Sequence, residues 1–185
     1  LPKLGYAADE ITVLTPMQRG SAGARNLNET LQRVVNPESP AKPEIRRAGM
    51  VQRVGDRVLQ RVNDYDKGVF NGDVGTVLAI DHEEQFVTVG YPEGPIDYEF
   101  SDLDQLTHAM ALTVHKSQGS EYPAAVIVFH TQHYVMLQRN LLYTALTRAK
   151  KMAVLVGSSR AIAMAVRNKN TTPRWTKLAQ RLAGG

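Results

Sequence analysis

Cysteine is absent from the 185 residues, which excludes a disulfide framework and any thiolate metal site. The five histidines fall at no ligand spacing such as His-x-x-x-His, so no structural metal is expected. Long apolar runs are missing too. Stretches such as Ala124 to Phe129 fall far short of the roughly 18 residues a membrane span needs, and no charged-then-apolar leader opens the chain. A cytoplasmic protein without membrane contact is the expectation. There is no Gly-x-x-x-x-Gly-Lys-Ser/Thr loop, and the only adjacent Asp-Glu pair, Asp9-Glu10, precedes a strand instead of following one. A self-sufficient nucleoside triphosphatase is thereby excluded. The chain opens on Leu1 and closes on Gly184-Gly185, which predicts a piece of a longer protein.

What is present is 43% hydrophobic and 22% charged, the balance of a globular protein. Charge falls in blocks. Residues 50–106 hold four Lys/Arg against twelve Asp/Glu, a net of −8, whereas from Tyr122 onward there are ten Lys/Arg and no acid. Residues 1–49 carry seven bases against five acids, and 107–121 balance at zero. An acid-free basic third suits a polyanion, and it equally suits a solvated face. The basic tail of Arg167, Lys169, Arg174, Lys177 and Arg181 reads as solvated, with Trp175 as packing.

Periodicity divides the chain in three. The β-branched run Ile11 to Thr15 reads as a buried strand ended by Pro16, and Leu27, Leu31, Val34 and Val35 at helical spacing predict a helix over Ala24 to Val35. Three prolines between Pro37 and Pro43 make a stiff linker, placing a domain boundary there. Between Val54 and Leu106 the period becomes two. Runs at 57–62, 74–81, 85–91 and 96–100, separated by turn residues, predict a small β-barrel. From Ala109 strands (109–113, 124–129, 152–156) alternate with helices (136–148, 159–166), the pattern of a parallel sheet with helices on its faces. The expected organisation is a first motor-domain segment at 1–49, an inserted barrel at 50–106, and a second motor-domain segment at 107–185.

Two polar segments in the α/β part carry chemistry. In Thr113-Val114-His115-Lys116-Ser117-Gln118-Gly119-Ser120-Glu121, hydroxyls, an imidazole, an ammonium group and a glycine share one loop after a buried strand, a set of donors that suits phosphates. In Leu142-Tyr143-Thr144-Ala145-Leu146-Thr147-Arg148-Ala149 an apolar stripe leaves Tyr143, Thr144, Thr147 and Arg148 to point elsewhere.

These two segments resemble motifs V and VI of superfamily 1 helicases, in the form used by the RecD/TraA group. Two further stretches agree. Val13 to Gly20, with Gly23 and Leu27-Asn28, is similar to motif IV of that group. Gly55 to Tyr65, followed by Val69 to Gly75, resembles the start of the Src-homology-3-like (SH3-like) barrel inserted into the second motor domain. The resemblance implies an α/β fold, a RecA-like parallel sheet with helices on both faces, interrupted by that barrel. It also implies roles. Arg148 would be the arginine finger on the γ-phosphate of ATP, with Arg19 as a second catalytic contact and Arg25 as a rival to Arg19 on the nucleotide. Gly119 and Glu121 would lie at the nucleotide, Glu121 accepting from a ribose hydroxyl. Thr113, His115 and Lys116 would face single-stranded DNA, joined from the barrel by Asn63, Tyr65, Phe70 and Asn71. ATP with Mg²⁺ would bind between this region and an upstream motor domain of the same chain, which would hold the metal and the phosphate loop. Exonuclease-complex subunits are further partners of the group.

Duller roles stay open for each. Arg148 also suits a helix C-terminus, His115 and Lys116 a plain loop, Glu121 a surface ion pair, Tyr65 and Phe70 the barrel core, and Asn71-Gly72 a simple turn. The group translocates 5′ to 3′ on single strands. A region without the phosphate loop should be inert by itself, and a non-catalytic single-strand-binding module of the same fold is the rival function.

Overall fold

A computed structural model describes residues 4–47 and 49–168; Lys169, Arg174, Trp175, Lys177 and Arg181 lie outside the described residues. The α/β part is built on four parallel strands, β1 (Ile11–Thr15), β9 (Ala111–Thr113), β10 (Tyr122–Phe129) and β11 (Ala149–Gly157), in the order β11-β10-β1-β9. Its register aligns Leu14 with Ile127 and Leu112, so one face presents Leu14, Leu112, Ala125, Ile127 and Phe129. Helices α2 (Arg139–Leu146) and α3 (Ser159–Arg167) cover that face with Leu142, Ala145, Ala161 and Ala165. Small residues on both helices let them approach the sheet closely, and the shared apolar burial holds the layers together.

The five-stranded antiparallel sheet runs β7-β6-β5-β4-β8, with β4 at Arg57–Gln60, β5 at Val74–Asp81, β6 at Phe86–Tyr91, β7 at Gly94–Glu99 and β8 at Leu106–His108. Alternation puts Val58, Val77, Val87, Val89 and Tyr98 into one core, to which Val69 and Ile45 contribute. Pro95 is accommodated because β7 is an edge strand, where a missing N–H costs no ladder bond. Inside, Tyr91 and Tyr98 hydroxyls bond each other at 2.9 Å, and the Tyr98 hydroxyl donates to Gln60 Oε1 at 3.1 Å.

Three elements differ from expectation. A short hairpin, β2 (Glu44–Arg47) with β3 (Met50–Arg53), stands between the proline-rich segment and the barrel strands. Its β2 carries three charged residues and buries only Ile45, so no alternation betrays it. The predicted helix from Met136 to Arg148 is instead a 3₁₀ helix, Thr131–Met136, a break at Leu137–Gln138, and α2 ending at Leu146. Ala149, read as part of the helical stripe, is the first residue of β11.

Helix α1 (Ala24–Val35) has the expected bounds, but the face it buries is polar: Ala24, Asn28 and Gln32 are buried, while Val34 is 75% exposed. The reason is its partner, the free edge of β9. Asn28 receives the Ala111 N–H at 2.7 Å and donates to the Ala111 carbonyl at 2.7 Å, standing in for a neighbouring strand. One turn on, Gln32 donates to Asp56 and to the Val51 carbonyl, and Asn36 donates to Asp56 Oδ1 at 2.8 Å. Asp56 is fully buried and also accepts from the Arg53 N–H at 2.8 Å, with His108 Nε2 3.5 Å away. A polar stripe at i, i+4, i+8 thus ties α1, the hairpin and both ends of the barrel segment into one joint.

Candidate nucleotide and nucleic-acid interface

The loop from 114 to 121 leaves the carboxyl end of β9 and returns to the amino end of β10. Its first turn is closed by Ser117 N–H to the Thr113 carbonyl at 3.1 Å, and the fully buried Ser117 hydroxyl donates to the Val114 carbonyl at 2.8 Å. Thr113 Oγ1 accepts from the Lys116 N–H at 3.3 Å. These internal bonds leave His115, Lys116 and Gln118 exposed on the outside of the turn. Gly119 sits at φ +87 with open space where a Cβ would point, a conformation glycine adopts without strain.

A cleft of about 440 Å³ lies between this loop and the barrel, lined by His115, Lys116, Gln118 and Ser120 on one side and Leu59 with Asn71, Gly72 and Asp73 on the other. Although the Lys116 side chain is exposed overall, partial desolvation of its ammonium against the cleft lowers its pKa, and the charge of Arg61 adds to the effect. Lys116 forms no ion pair among the described residues, so its charge is available to an anion in the cleft.

The barrel's contribution is an ordered arch. Asp64 and Val69 exchange backbone bonds at 2.8 and 3.0 Å, Asn63 Oδ1 accepts from the Asn71 N–H at 2.9 Å, and Asp73 accepts from the Phe70 N–H at 2.7 Å. Val69 is the residue that enters the core; Tyr65 is 77% exposed and meets Phe70 edge-to-face at 5.9 Å. An arch held by these four bonds thus presents two aromatic rings and the Asn71 amide outward, while the Asn63 amide spans the arch, its Nδ2 donating to the Tyr65 hydroxyl at 3.4 Å.

Arg148 lies at the amino end of β11, where its carbonyl accepts from the Tyr122 N–H at 2.8 Å. Its guanidinium donates to the Thr144 carbonyl at 3.2 Å, to the Ser120 carbonyl at 3.0 Å and to Thr147 Oγ1 at 3.2 Å. All three acceptors are neutral, so the fork is oriented without its charge being matched. Glu121 pairs with Lys150 at 3.4 Å across an exposed surface, an interaction of small worth.

Arg19 stands elsewhere. It follows the carboxyl end of β1 in a loop held against the 3₁₀ helix: Ser21 Oγ donates to Gln132 Oε1 at 2.9 Å. Buried His133 accepts the His130 N–H at 3.1 Å on Nδ1. Burial keeps His133 below its ordinary pKa, partly offset by its bond with the Ala22 backbone. Gly23 is required here, because a Cβ would lie 2.4 Å from the Arg19 carbonyl. Arg19 thus follows the carboxyl end of β1, and Arg148 precedes the amino end of β11. Arg25 is exposed on the first turn of α1, pairs with Glu29 at 3.5 Å, and faces a different groove beside the hairpin. Arg61 and Arg46, for which the sequence suggested no role, stand beside that groove as well.

Among the described residues no group of three or more His, Asp or Glu could hold a metal ion, and no helix is long and apolar enough to cross a membrane.

Comparison with known proteins matches residues 27–91 to the ATP-dependent RecD-like DNA helicase SH3 domain and residues 108–156 to the UvrD-like helicase C-terminal domain. The ATP-dependent RecD2 DNA helicase of Deinococcus radiodurans is 38% identical over 172 residues, 93% of this chain and 23% of that protein. The RecBCD enzyme subunit RecD of Mycobacterium tuberculosis is 32% identical over 158 residues, 85% of this chain and 26% of that protein. The chain thus spans about a quarter of the length of these relatives. The solved structure of a Bacteroides Pif1 helicase in complex with ADP-AlF3 and ssDNA shares the fold, with a TM-score of 0.62 and 21% identity over 97% of this chain and 46% of that one. With both domain models in tandem and RecD relatives aligned along most of its length, the chain belongs to the RecD-like superfamily 1 helicases, as their SH3 domain and C-terminal motor domain.

Proposed function

We propose that this region is the C-terminal half of an ATP-dependent DNA helicase motor that moves 5′ to 3′ on single-stranded DNA. One observation carries the reading. The loop residues His115 and Lys116 and the barrel residue Asn71, more than 40 positions apart in sequence, line a single cleft, with the Tyr65–Phe70 pair on the arch beside it. Lys116 and His115 supply phosphate contacts that carry no sequence information, Thr113 fixes the turn that presents them, and Asn63 holds the Asn71 backbone in place. Exposed aromatic rings give bases a stacking surface, which explains how an acidic barrel borders a polyanion. Arg19 joins the strand-binding end, since it shares the carboxyl side of the sheet with Thr113.

ATP binds beside Arg148, whose guanidinium holds the Ser120 carbonyl at the edge of the same cleft, against an upstream motor domain of the same chain that holds the phosphate loop and Mg²⁺. Here Arg148 meets the γ-phosphate, and the positive φ of Gly119 lets the backbone pass close to the nucleotide. Glu121 reaches the ribose once it leaves Lys150. The M. tuberculosis relative is named as a RecBCD subunit, so exonuclease-complex subunits are candidate partners. The region alone hydrolyses ATP negligibly.

The barrel contact is tested through Tyr65. Because Tyr65 is 77% exposed, Tyr65→Ala should leave the melting temperature unchanged while weakening single-strand binding by about 1–3 kcal/mol in a fluorescence anisotropy titration of the full-length protein. Unchanged affinity, or a fall in stability that accounts for the loss, removes the stacking role.

A further inference from the structure

A second groove, of about 590 Å³, runs between the first turns of α1, the β2–β3 hairpin and the segment leading into β8. Three arginines from three separate parts of the chain stand on it: Arg25 on α1, Arg46 on β2 and Arg61 just after β4. Two acids share the lining, Glu29 and Asp104, leaving a net of +1 from three bases and two acids. Glu29 is engaged by Arg25 at 3.5 Å, and Arg61 donates to the backbone carbonyl of Asp104 at 2.8 Å. Arg46 is exposed and forms no ion pair among the described residues.

Arg61 stands on the groove two residues after Leu59, which lines the Lys116 cleft, so the end of β4 borders both, and the charge of Arg61 also acts on the Lys116 ammonium. Like charges repel, and an anion bridging Arg61 and Lys116 removes that cost. A chain of regularly spaced anions satisfies both the cleft and the groove at once. Met50 and Leu103 give the groove apolar wall as well, a surface on which a base can lie.

We propose that this groove is a second binding segment for single-stranded nucleic acid, continuous with the Lys116 cleft through Arg61, in which Arg61, Arg46 and Arg25 hold backbone phosphates. It rests on the strand-binding reading of the Lys116 cleft and extends the strand's path past it, across the barrel edge and along α1. Arg25 thereby acts on the strand and not on the nucleotide.

The test uses the full-length protein and fluorescein-labelled oligo(dT) of about 4 and about 16 nucleotides, the lower and upper limits of the site on one small strand-binding barrel. Arg46→Ala should weaken the longer oligonucleotide several-fold and flatten the slope of log K against log salt by roughly 0.7, the value for one phosphate contact on a single strand. Binding of the shorter one should hold, because it fills the Lys116 cleft alone. Lys116→Ala should weaken both. Arg46 sits exposed on a hairpin, so unchanged melting of Arg46→Ala is expected and checks the fold. If Arg46→Ala leaves both affinity and salt slope unchanged while Lys116→Ala weakens binding, the groove proposal fails and the cleft reading stands. No effect from either variant overturns both. A loss confined to blunt duplex DNA also overturns the proposal.

Discussion

Replacing Arg148 by alanine in the full-length protein should lower ATP turnover by roughly 10³-fold or more while leaving single-strand affinity nearly intact. The expectation follows from what the guanidinium does in this structure. It is aimed by three neutral acceptors, the Thr144 and Ser120 carbonyls and Thr147 Oγ1, none of which cancels its charge. Such a group is pre-oriented for negative charge developing on a transferred phosphoryl group, and its contribution is greatest in the transition state. The proposed strand contacts, His115, Lys116 and the Tyr65–Phe70 arch, do not include Arg148, so binding should not follow turnover down. Arg148→Lys separates this role from plain helix capping. A lysine can still complement the helix C-terminus but lacks the planar fork, and should remain slow. Steady-state turnover with saturating oligonucleotide checks both variants; wild-type rates in Arg148→Ala would remove the assignment.

The largest effect on stability should come from Asp56. Its carboxylate is fully buried and collects Gln32, Asn36, the Arg53 N–H and His108. Asp56→Ala strips four donors of their acceptor inside the joint between α1 and the barrel, at a cost of about 3–5 kcal/mol. That is a large share of a domain's total stability. Urea denaturation should show a much lower midpoint with little change in slope. Acid should act on the same group. Burial pushes its pKa up, but the bonds from His108, Asn36 and the Arg53 amide outweigh burial and hold the carboxyl below its ordinary 3.8. A depressed folded value means that the stabilisation is complete above about pH 4 and is lost as pH falls through the folded pKa. Asp56→Asn should flatten this acid limb; an unchanged midpoint in Asp56→Ala would show that the joint contributes little.

The bounds of β1 and α1 were legible because a β-branched run, Pro16 and Asn36-Pro37 are local signals. The buried face of α1 was not. Leu27, Leu31, Val34 and Val35 gave the period, yet Asn28 and Gln32 turn inward, because their partners are a strand edge and a carboxylate more than 20 residues away. The β2–β3 hairpin stayed hidden for a related reason: Arg53 is buried through Glu44, a pairing that period-two reading scores as solvent. For the candidate site, the motif segments name loops but not the course those loops take. Only the folded chain shows residues 114–121 running from the carboxyl end of β9 back to the amino end of β10. Whether Tyr65 and Phe70 fill the core depended on Val69, one apolar side chain between them, taking that place. Neither Arg46 nor Arg61 has a role readable from the sequence, and only the folded chain gathers them beside Arg25.

Motion from 5′ to 3′ by this half of a motor is tested most directly by ATP-driven unwinding with the full-length protein on duplexes carrying a 5′ or a 3′ single-stranded tail. The 185-residue region alone serves as control. Strand separation from the 5′-tailed duplex only, with an inert control, is the predicted result. A folded full-length protein that unwinds neither substrate and shows no strand-stimulated ATP hydrolysis would contradict the motor and leave a single-strand-binding module in its place.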